Sequence, residues 1–369
     1  MNNKDNSTQV SKDGFEHYML KEIYEQPKVV KNILENREEI YNSNFSKEEL
    51  EQIDKIYIVA CGTALHAGQN GKFALEMLTG IPVITDIASE FRYNDVFIDE
   101  KTLLIVISQS GETADTIGAL EKGIRYKAKT LSITNVMDST IANMTEKSMF
   151  CNAGPEISIA STKAYMAQLT VLFLLSLDIA LKLKAIDTQT FDKVLASLKE
   201  IPEKINIVLK DLTAYKEIAK ELKEVNSMFY IGRGSDFITA KEGSLKLKET
   251  SYIHSEPFPA GELKHGTMAI IDETSKIIAV AAQSGLDAKT TVNVSELKDK
   301  GAKVFSIGTE ENEVLKNNSD ITILIPKTID LLVPMLAVVP EQLIAYYTAL
   351  AKGNDVDHPR NLTKSVISE

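Results

Sequence analysis

The chain has 369 residues, with 41 Lys and Arg against 52 Asp and Glu. The net charge of −11, with no basic cluster to override it, excludes a nucleic-acid-binding surface. At 44% hydrophobic and 25% charged it is a globular composition, long enough for two domains with full cores. Cys61 and Cys151 make neither a disulfide framework nor a metal-ligand spacing. The N-terminus is polar, with no signal-peptide core, and the most apolar stretch, residues 169–181, is broken by Ser176 and Asp178. The expectation is a cytoplasmic protein with no membrane span.

Residues 1–13 are polar, lack apolar periodicity and are expected to be disordered. Helical spacing occupies residues 15–36, with Pro27 as a kink or a fresh start. Ser46-Lys-Glu-Glu49 has the spacing of a capping box, and residues 14–53 form an N-terminal helical segment. A strand–turn–helix alternation follows: a strand at 56–60, the turn Cys61-Gly-Thr63, a helix at 64–78, then strands at 82–85, 103–107, 130–134 and 149–151. Five such strands between helix-length segments indicate a first domain, 54–186, with a doubly wound parallel sheet. Within it, residues 157–184 read as one helix, apolar nearly all round and therefore buried.

Charged helices over residues 187–224 form a linker. A second domain, 225–350, repeats the pattern with a strand at 228–231, the turn Gly232-Arg-Gly234, a helix at 237–249 and a strand at 276–281. The turn Gln283-Ser-Gly285, strands at 303–307 and 321–325 and an apolar helix at 331–351 complete it. The first turns of the two halves lie about 170 residues apart, and so do the two Gln-Ser-Gly turns. The predicted fold class is α/β: two tandem flavodoxin-like domains, each a five-stranded parallel sheet with helices on both faces.

Ser108-Gln-Ser-Gly-Glu-Thr113 ends a strand and opens a helix. Hydroxyls, a permissive glycine and free backbone N–H groups there suit a phosphate, although the same residue types cap helices that bind nothing. Ligands in such sheets sit beyond the strands' carboxyl ends, which places Cys61-Gly-Thr63 on the same edge. No complete dinucleotide fingerprint, Walker sequence or zinc signature is present, so neither a nucleotide cofactor nor a metal is expected. Glu242, Lys246 and Glu249 share one helix face, as a solvated ion-pair row or as part of a site. His265, between Gly261 and Gly266, is either exposed or a proton carrier near neutral pH. His17, His66, His254 and His358 show no pattern. Cys61 reads as a small buried residue beside the site, and Lys364 as a surface lysine in a polar tail.

These motifs, with Ala160-Ser-Thr-Lys163, Leu245-Lys-Leu-Lys-Glu249, Gly261-Glu-Leu-Lys-His-Gly266 and the tail Pro359-Arg-Asn-Leu-Thr-Lys-Ser-Val366, occur in one order along the chain. In that order they resemble the isomerase half of the glucosamine-6-phosphate synthase family, a tandem pair of sugar-isomerase (SIS) domains. The resemblance implies that Ser108, Gln109, Ser110 and Thr113 hold a sugar 6-phosphate, with Thr63, Ser161 and Glu242 among the binding residues. It further implies that Glu249 shuttles a proton between C1 and C2 with Lys246 assisting, and that His265, from the partner of a homodimer, opens the sugar ring. Lys364 would form a Schiff base with the open-chain ketose under a tail, 351–369, folded as a lid, which reverses its reading as a surface residue.

The implied reaction interconverts glucosamine 6-phosphate and fructose 6-phosphate plus ammonia, without a cofactor. In that family a glutaminase domain with an N-terminal cysteine precedes this half. The present sequence begins Met-Asn-Asn-Lys, so glutamine hydrolysis by this chain is not expected. Residues 17–27 nevertheless look like the segment entering the isomerase half. The readings are therefore deamination or free-ammonia amination, amination fed by a separate glutaminase, or a non-enzymatic sugar-phosphate sensor. Ala64 and Thr363 depart from the serine and alanine common at those places.

Overall fold

A computed structural model describes residues 10–366. The first sheet contains β1 (Lys55–Ala60), β2 (Val83–Ile87), β3 (Thr102–Ser108), β4 (Lys129–Thr134) and β5 (Lys147–Phe150) in the order β2-β1-β3-β4-β5. The second contains β6 (Ser227–Gly232), β7 (His254–Pro259), β8 (Lys276–Ala281), β9 (Lys303–Thr309) and β10 (Ile321–Ile325) in the order β10-β9-β8-β6-β7. Every strand pairing is parallel. Read from β7, the second order is that of the first, which bears out the duplication and the fold class. All seven residues of β3 are buried, as a central strand covered on both faces requires.

In each sheet the strand order reverses between the first and third strands, and the crevice beyond their carboxyl ends is the natural ligand position. In the first half this is the gap between Cys61, after β1, and the loop that follows Ser108. In the second half side chains of the chain itself bridge the gap. Asp236 accepts the N–H groups of Ala282 and Gln283, each at 2.9 Å. The Gln283 amide oxygen accepts from the N–H and hydroxyl of Ser235 at 3.2 and 3.1 Å.

Several boundaries differ from the sequence reading. β7 was not expected: its sequence, His-Ser-Glu-Pro-Phe-Pro, is polar and holds two prolines. It lies at a sheet edge, where a missing N–H costs no ladder bond. The helix expected over 157–184 is Lys163–Lys182, and the residues before it run irregularly. The capping box at Ser46 is present in full. Pro27 lies inside the helix Tyr18–Glu35, whose first N–H groups, on Tyr18 and Met19, donate to Asp357 at 2.9 Å. Residues 1–9 of the expected disordered segment lie outside the described residues. Val10 and Ser11 are placed, their carbonyls accepting from Tyr18 and Lys21.

Among the described residues two segments, Lys163–Lys182 and Asp330–Lys352, have the length and hydropathy of a membrane span, which run length alone did not reveal; in each, 94% of the 18-residue apolar window is buried within the protein. They form the spine of the core. Lys163–Lys182 packs on Gly62–Thr79 and Val333–Lys352 on Ser235–Ser251. The first contact is close: a Cβ on Gly71 would stand 2.8 Å from Leu172. Gly62–Thr79 and Ser235–Ser251 also pack against each other, which carries residues of the second half to the crevice of the first.

Candidate active site

The loop after β3 is built by its own hydroxyls. Ser108 Oγ accepts the Gly111 N–H at 3.0 Å and lies 2.9 Å from Thr113 Oγ1, while Ser110 Oγ accepts the Glu112 N–H at 3.2 Å. Gly111 takes φ +69°, and a Cβ there would lie 2.1 Å from Ser139 Oγ, so only glycine fits. The helix Ala114–Arg125 starts directly afterwards, so its N-terminus stands next to this loop. The Ala114 N–H donates to the Val366 carbonyl at 3.1 Å, which lays the C-terminal tail across this opening. The tail's path is fixed upstream, where the Arg360 guanidinium stacks 4.1 Å from the Tyr252 ring centroid and its N–H donates to the Tyr252 hydroxyl.

Opposite the loop stands a buried chain of charges spanning both halves. Lys246, wholly buried, lies 2.6 Å from Glu249 and 3.4 Å from Glu242, and donates to Thr63 Oγ1 at 3.0 Å. Thr63 donates in turn to Glu242 at 3.0 Å, and His66 Nδ1 lies 2.7 Å from the other Glu242 oxygen. Burial works against the Lys246 ammonium, but the Glu249 and Glu242 carboxylates outweigh it and raise its proton affinity above the ordinary lysine value. Burial likewise pushes Glu242 up, and Lys246, His66 and Thr63 together bring it below the usual carboxylate range.

A cavity of about 230 Å³ separates loop, charges and tail. Thr63, Ser108, Gln109, Ser110, Thr113, Ser161, Glu249 and Lys364 all line it. Three expected residues do not. Lys246 and Glu242 lie behind Glu249 and Thr63, sealed from the space, so Glu242 supports the wall instead of facing a ligand. His265 is exposed, at the end of the short 3-10 helix Ala260–His265, away from this cavity. Cys61 lines the cavity half-buried; burial raises its thiol above the ordinary value, so it is a poor thiolate. A larger hollow of about 580 Å³ beside the N-terminal helix contains none of these groups.

Residues 49–177 and 221–352, more than half of the chain, match the family described as SIS domain. The chain belongs to the SIS domain family. It is 48% identical over 364 residues to a glutamine–fructose-6-phosphate aminotransferase (isomerizing) of Caldanaerobacter subterraneus, a match covering 97% of this chain and 60% of that protein. A Clostridium tetani protein of the same description is 45% identical, covering 99% of this chain and 61% of its own length. The chain thus spans about three-fifths of the length of these relatives. Among solved structures, the C-terminal domain of glucosamine-fructose-6-phosphate aminotransferase from Francisella tularensis superposes with a TM-score of 0.89 at 37% identity, covering 95% of this chain and 100% of that one. The resemblance drawn from the motifs is borne out.

The SIS pair also contains residues that the sequence reading missed. Glu156, fully buried, receives the Lys364 ammonium at 2.5 Å and the Ser161 hydroxyl at 2.7 Å. Gln168, buried in the cavity wall, has a side-chain oxygen with no partner among the described residues. His66 lies one helical turn after Thr63, and that spacing was the signal that could have placed it. Glu156 gave none, since a lone carboxylate in a loop has no periodicity to mark it.

Proposed function

We propose that this SIS protein is a cytoplasmic enzyme that interconverts glucosamine 6-phosphate and fructose 6-phosphate plus ammonia. The observation carrying the proposal is the meeting of three groups around one cavity: the hydroxyl loop Ser108–Thr113 at a helix N-terminus, Glu249 with Lys246 buried behind it, and Lys364. The loop's hydroxyls and N–H groups would bind the 6-phosphate, supplying locally the attraction that an acidic chain lacks overall. Glu249, oriented by Lys246, would carry the proton between C1 and C2. Lys364 would capture the open-chain ketose as a Schiff base, with the tail shielding the imine from water. His265, supplied by the second subunit of a homodimer, would open the ring.

Purified protein given glucosamine 6-phosphate is expected to release ammonia and fructose 6-phosphate, and Glu249→Gln and Lys364→Ala to abolish release while sugar-phosphate binding survives. Binding without turnover in the unaltered protein would remove the enzymatic reading and leave the sensor. A second reading draws on the relatives' glutamine dependence and the share of their length that this chain spans: a separate glutaminase would feed the ammonia. Glutamine-dependent amination on adding such a partner separates it from the first.

A further inference from the structure

We propose that Glu156 is the counter-ion and proton partner of Lys364, a positioning residue that makes the lid lysine a working amine. The inference rests on the Schiff-base reading above. Both carboxylate oxygens are fully engaged. One accepts the N–H groups of Thr162 and Ala164, at 2.9 and 3.0 Å, where the helix Lys163–Lys182 begins. The other accepts Lys364 Nζ at 2.5 Å and Ser161 Oγ at 2.7 Å, so one atom holds both the lid lysine and a cavity-lining hydroxyl. Lys364 is steadied by a second bond, to the Ser158 carbonyl at 2.7 Å. A buried ion pair is a poor way to stabilise a fold, since apolar residues of equal volume do as well or better.

The neighbouring carboxyl does not compete. Glu22, from the N-terminal helix, accepts the N–H groups of Ile157 and Ser158 at 2.6 and 3.3 Å. Burial and the charge on Glu156 push it up to about 8, so near neutral pH it is uncharged. Burial alone would push Glu156 up as well, but the Lys364 ammonium, helped by the Ala164 and Thr162 N–H groups, outweighs it and holds the carboxyl at about 2. Neutralising the amine removes the largest of these supports, and burial then opposes the bare carboxylate.

The condensation balances on this pair. The ammonium passes one proton to Glu156, and the neutral amine attacks the C2 carbonyl, forming the N–C bond and opening the C=O π bond. The second amine proton moves to the new alkoxide, giving a neutral carbinolamine. The proton on Glu156 then reaches the departing hydroxyl through Ser161 Oγ, which lines the cavity 2.7 Å from the carboxylate and passes on one proton as it accepts another; the C–O bond breaks and water leaves. The product is a protonated imine facing a carboxylate. The pair holds one positive and one negative charge at the start and at the end, so the condensation leaves no unpaired charge beside the buried carboxylate.

The test compares the intact protein with Glu156→Gln and Glu156→Asp, all carrying Lys364. It measures circular dichroism, the fructose 6-phosphate dissociation constant by calorimetry, and the rate of borohydride-trapped adduct at Lys364 by peptide mass. Glu156→Gln is expected to keep its dissociation constant while trapping falls about a hundredfold, the scale of a lost proton-transfer group. Glu156→Asp keeps the charge but draws it back by one methylene, and should trap at an intermediate rate. Trapping at the unaltered rate in Glu156→Gln overturns the proposal. So does a parallel loss of binding and trapping, which is the signature of a loop staple. If Glu156→Gln does not fold, Glu156→Asp decides: slowed trapping with unchanged binding supports the proposal, and unaltered trapping overturns it. If the unaltered protein traps nothing at Lys364, the Schiff-base reading fails, and this inference with it.

Discussion

Replacing Lys246 with methionine tests whether the buried charges act as one unit. The ammonium is wholly buried, 2.6 Å from Glu249 and 3.4 Å from Glu242, with a third contact to Thr63 at 3.0 Å. Methionine fills similar volume, so the loss is electrostatic and not a cavity. Removing one partner of a buried pair costs roughly 3–5 kcal/mol. Glu242 keeps His66 at 2.7 Å and Thr63 at 3.0 Å, which places the expected loss at the low end, about 3 kcal/mol.

The pH dependence has a definite sign. In the intact protein Glu242 lies below its ordinary value, so its contribution is full above the unfolded carboxylate value and fades as pH falls through the lower folded one. Without Lys246, the burial that already opposes its charge is no longer offset, and the Glu242 carboxyl rises. The native state then holds the proton more tightly than the unfolded chain, and acidification becomes stabilising. Urea unfolding of both proteins should therefore show a gap that is widest near pH ~8 and narrows toward pH ~5. A gap below about 1 kcal/mol at the higher pH, or one that widens on acidification, would refute this reasoning.

Gly111→Ala should weaken fructose 6-phosphate binding by more than about tenfold, because φ +69° and the 2.1 Å approach to Ser139 Oγ force the Ser108–Thr113 loop open; calorimetry reads it. Thr113→Val, which removes the hydroxyl beside Ser108 Oγ, should cost about 1 kcal/mol of the same binding without moving the unfolding midpoint. Cys61→Ala should retain most of the turnover, since the thiol is held protonated by burial; loss of activity with intact binding would restore it as a nucleophile candidate. Leu172→Ala, at the Gly71 contact in the core, should lower stability by roughly 2–5 kcal/mol in urea melts.

The sheets were legible because their central strands are short β-branched runs buried on both faces, and the repeat showed because both halves place a glycine turn after the same strand. β7 escaped because an edge strand needs neither apolar continuity nor every N–H, and Pro257 and Pro259 read as loop. The early start assigned to the helix Lys163–Lys182 has a related cause. Residues 157–162 carry helix-compatible apolar residues, but carboxylates and not a helical ladder fix their backbone: Glu22, distant in sequence, holds the N–H groups of Ile157 and Ser158, and Glu156, six residues back, that of Thr162. The Ser108–Thr113 loop could be read locally, since its hydroxyls, glycine and helix start are contiguous. The charge chain could be read only as a face. That Lys246 and Glu242 are sealed behind the wall depends on the packing of Gly62–Thr79 against Ser235–Ser251, which no spacing in either helix encodes. Lys364 belongs to the same class, brought to the cavity by tail contacts to Tyr252, Ala114 and Glu156, none of them its neighbours in sequence.

The central claim is that the Ser108–Thr113 loop and Lys364 act on one sugar phosphate. Its most direct measurement is the mass of the Lys364 peptide after borohydride reduction of the protein saturated with fructose 6-phosphate. The account predicts one reduced hexose-phosphate adduct, carried by Lys364. An unmodified Lys364 peptide from protein shown to be saturated, or the adduct on another lysine, would contradict it.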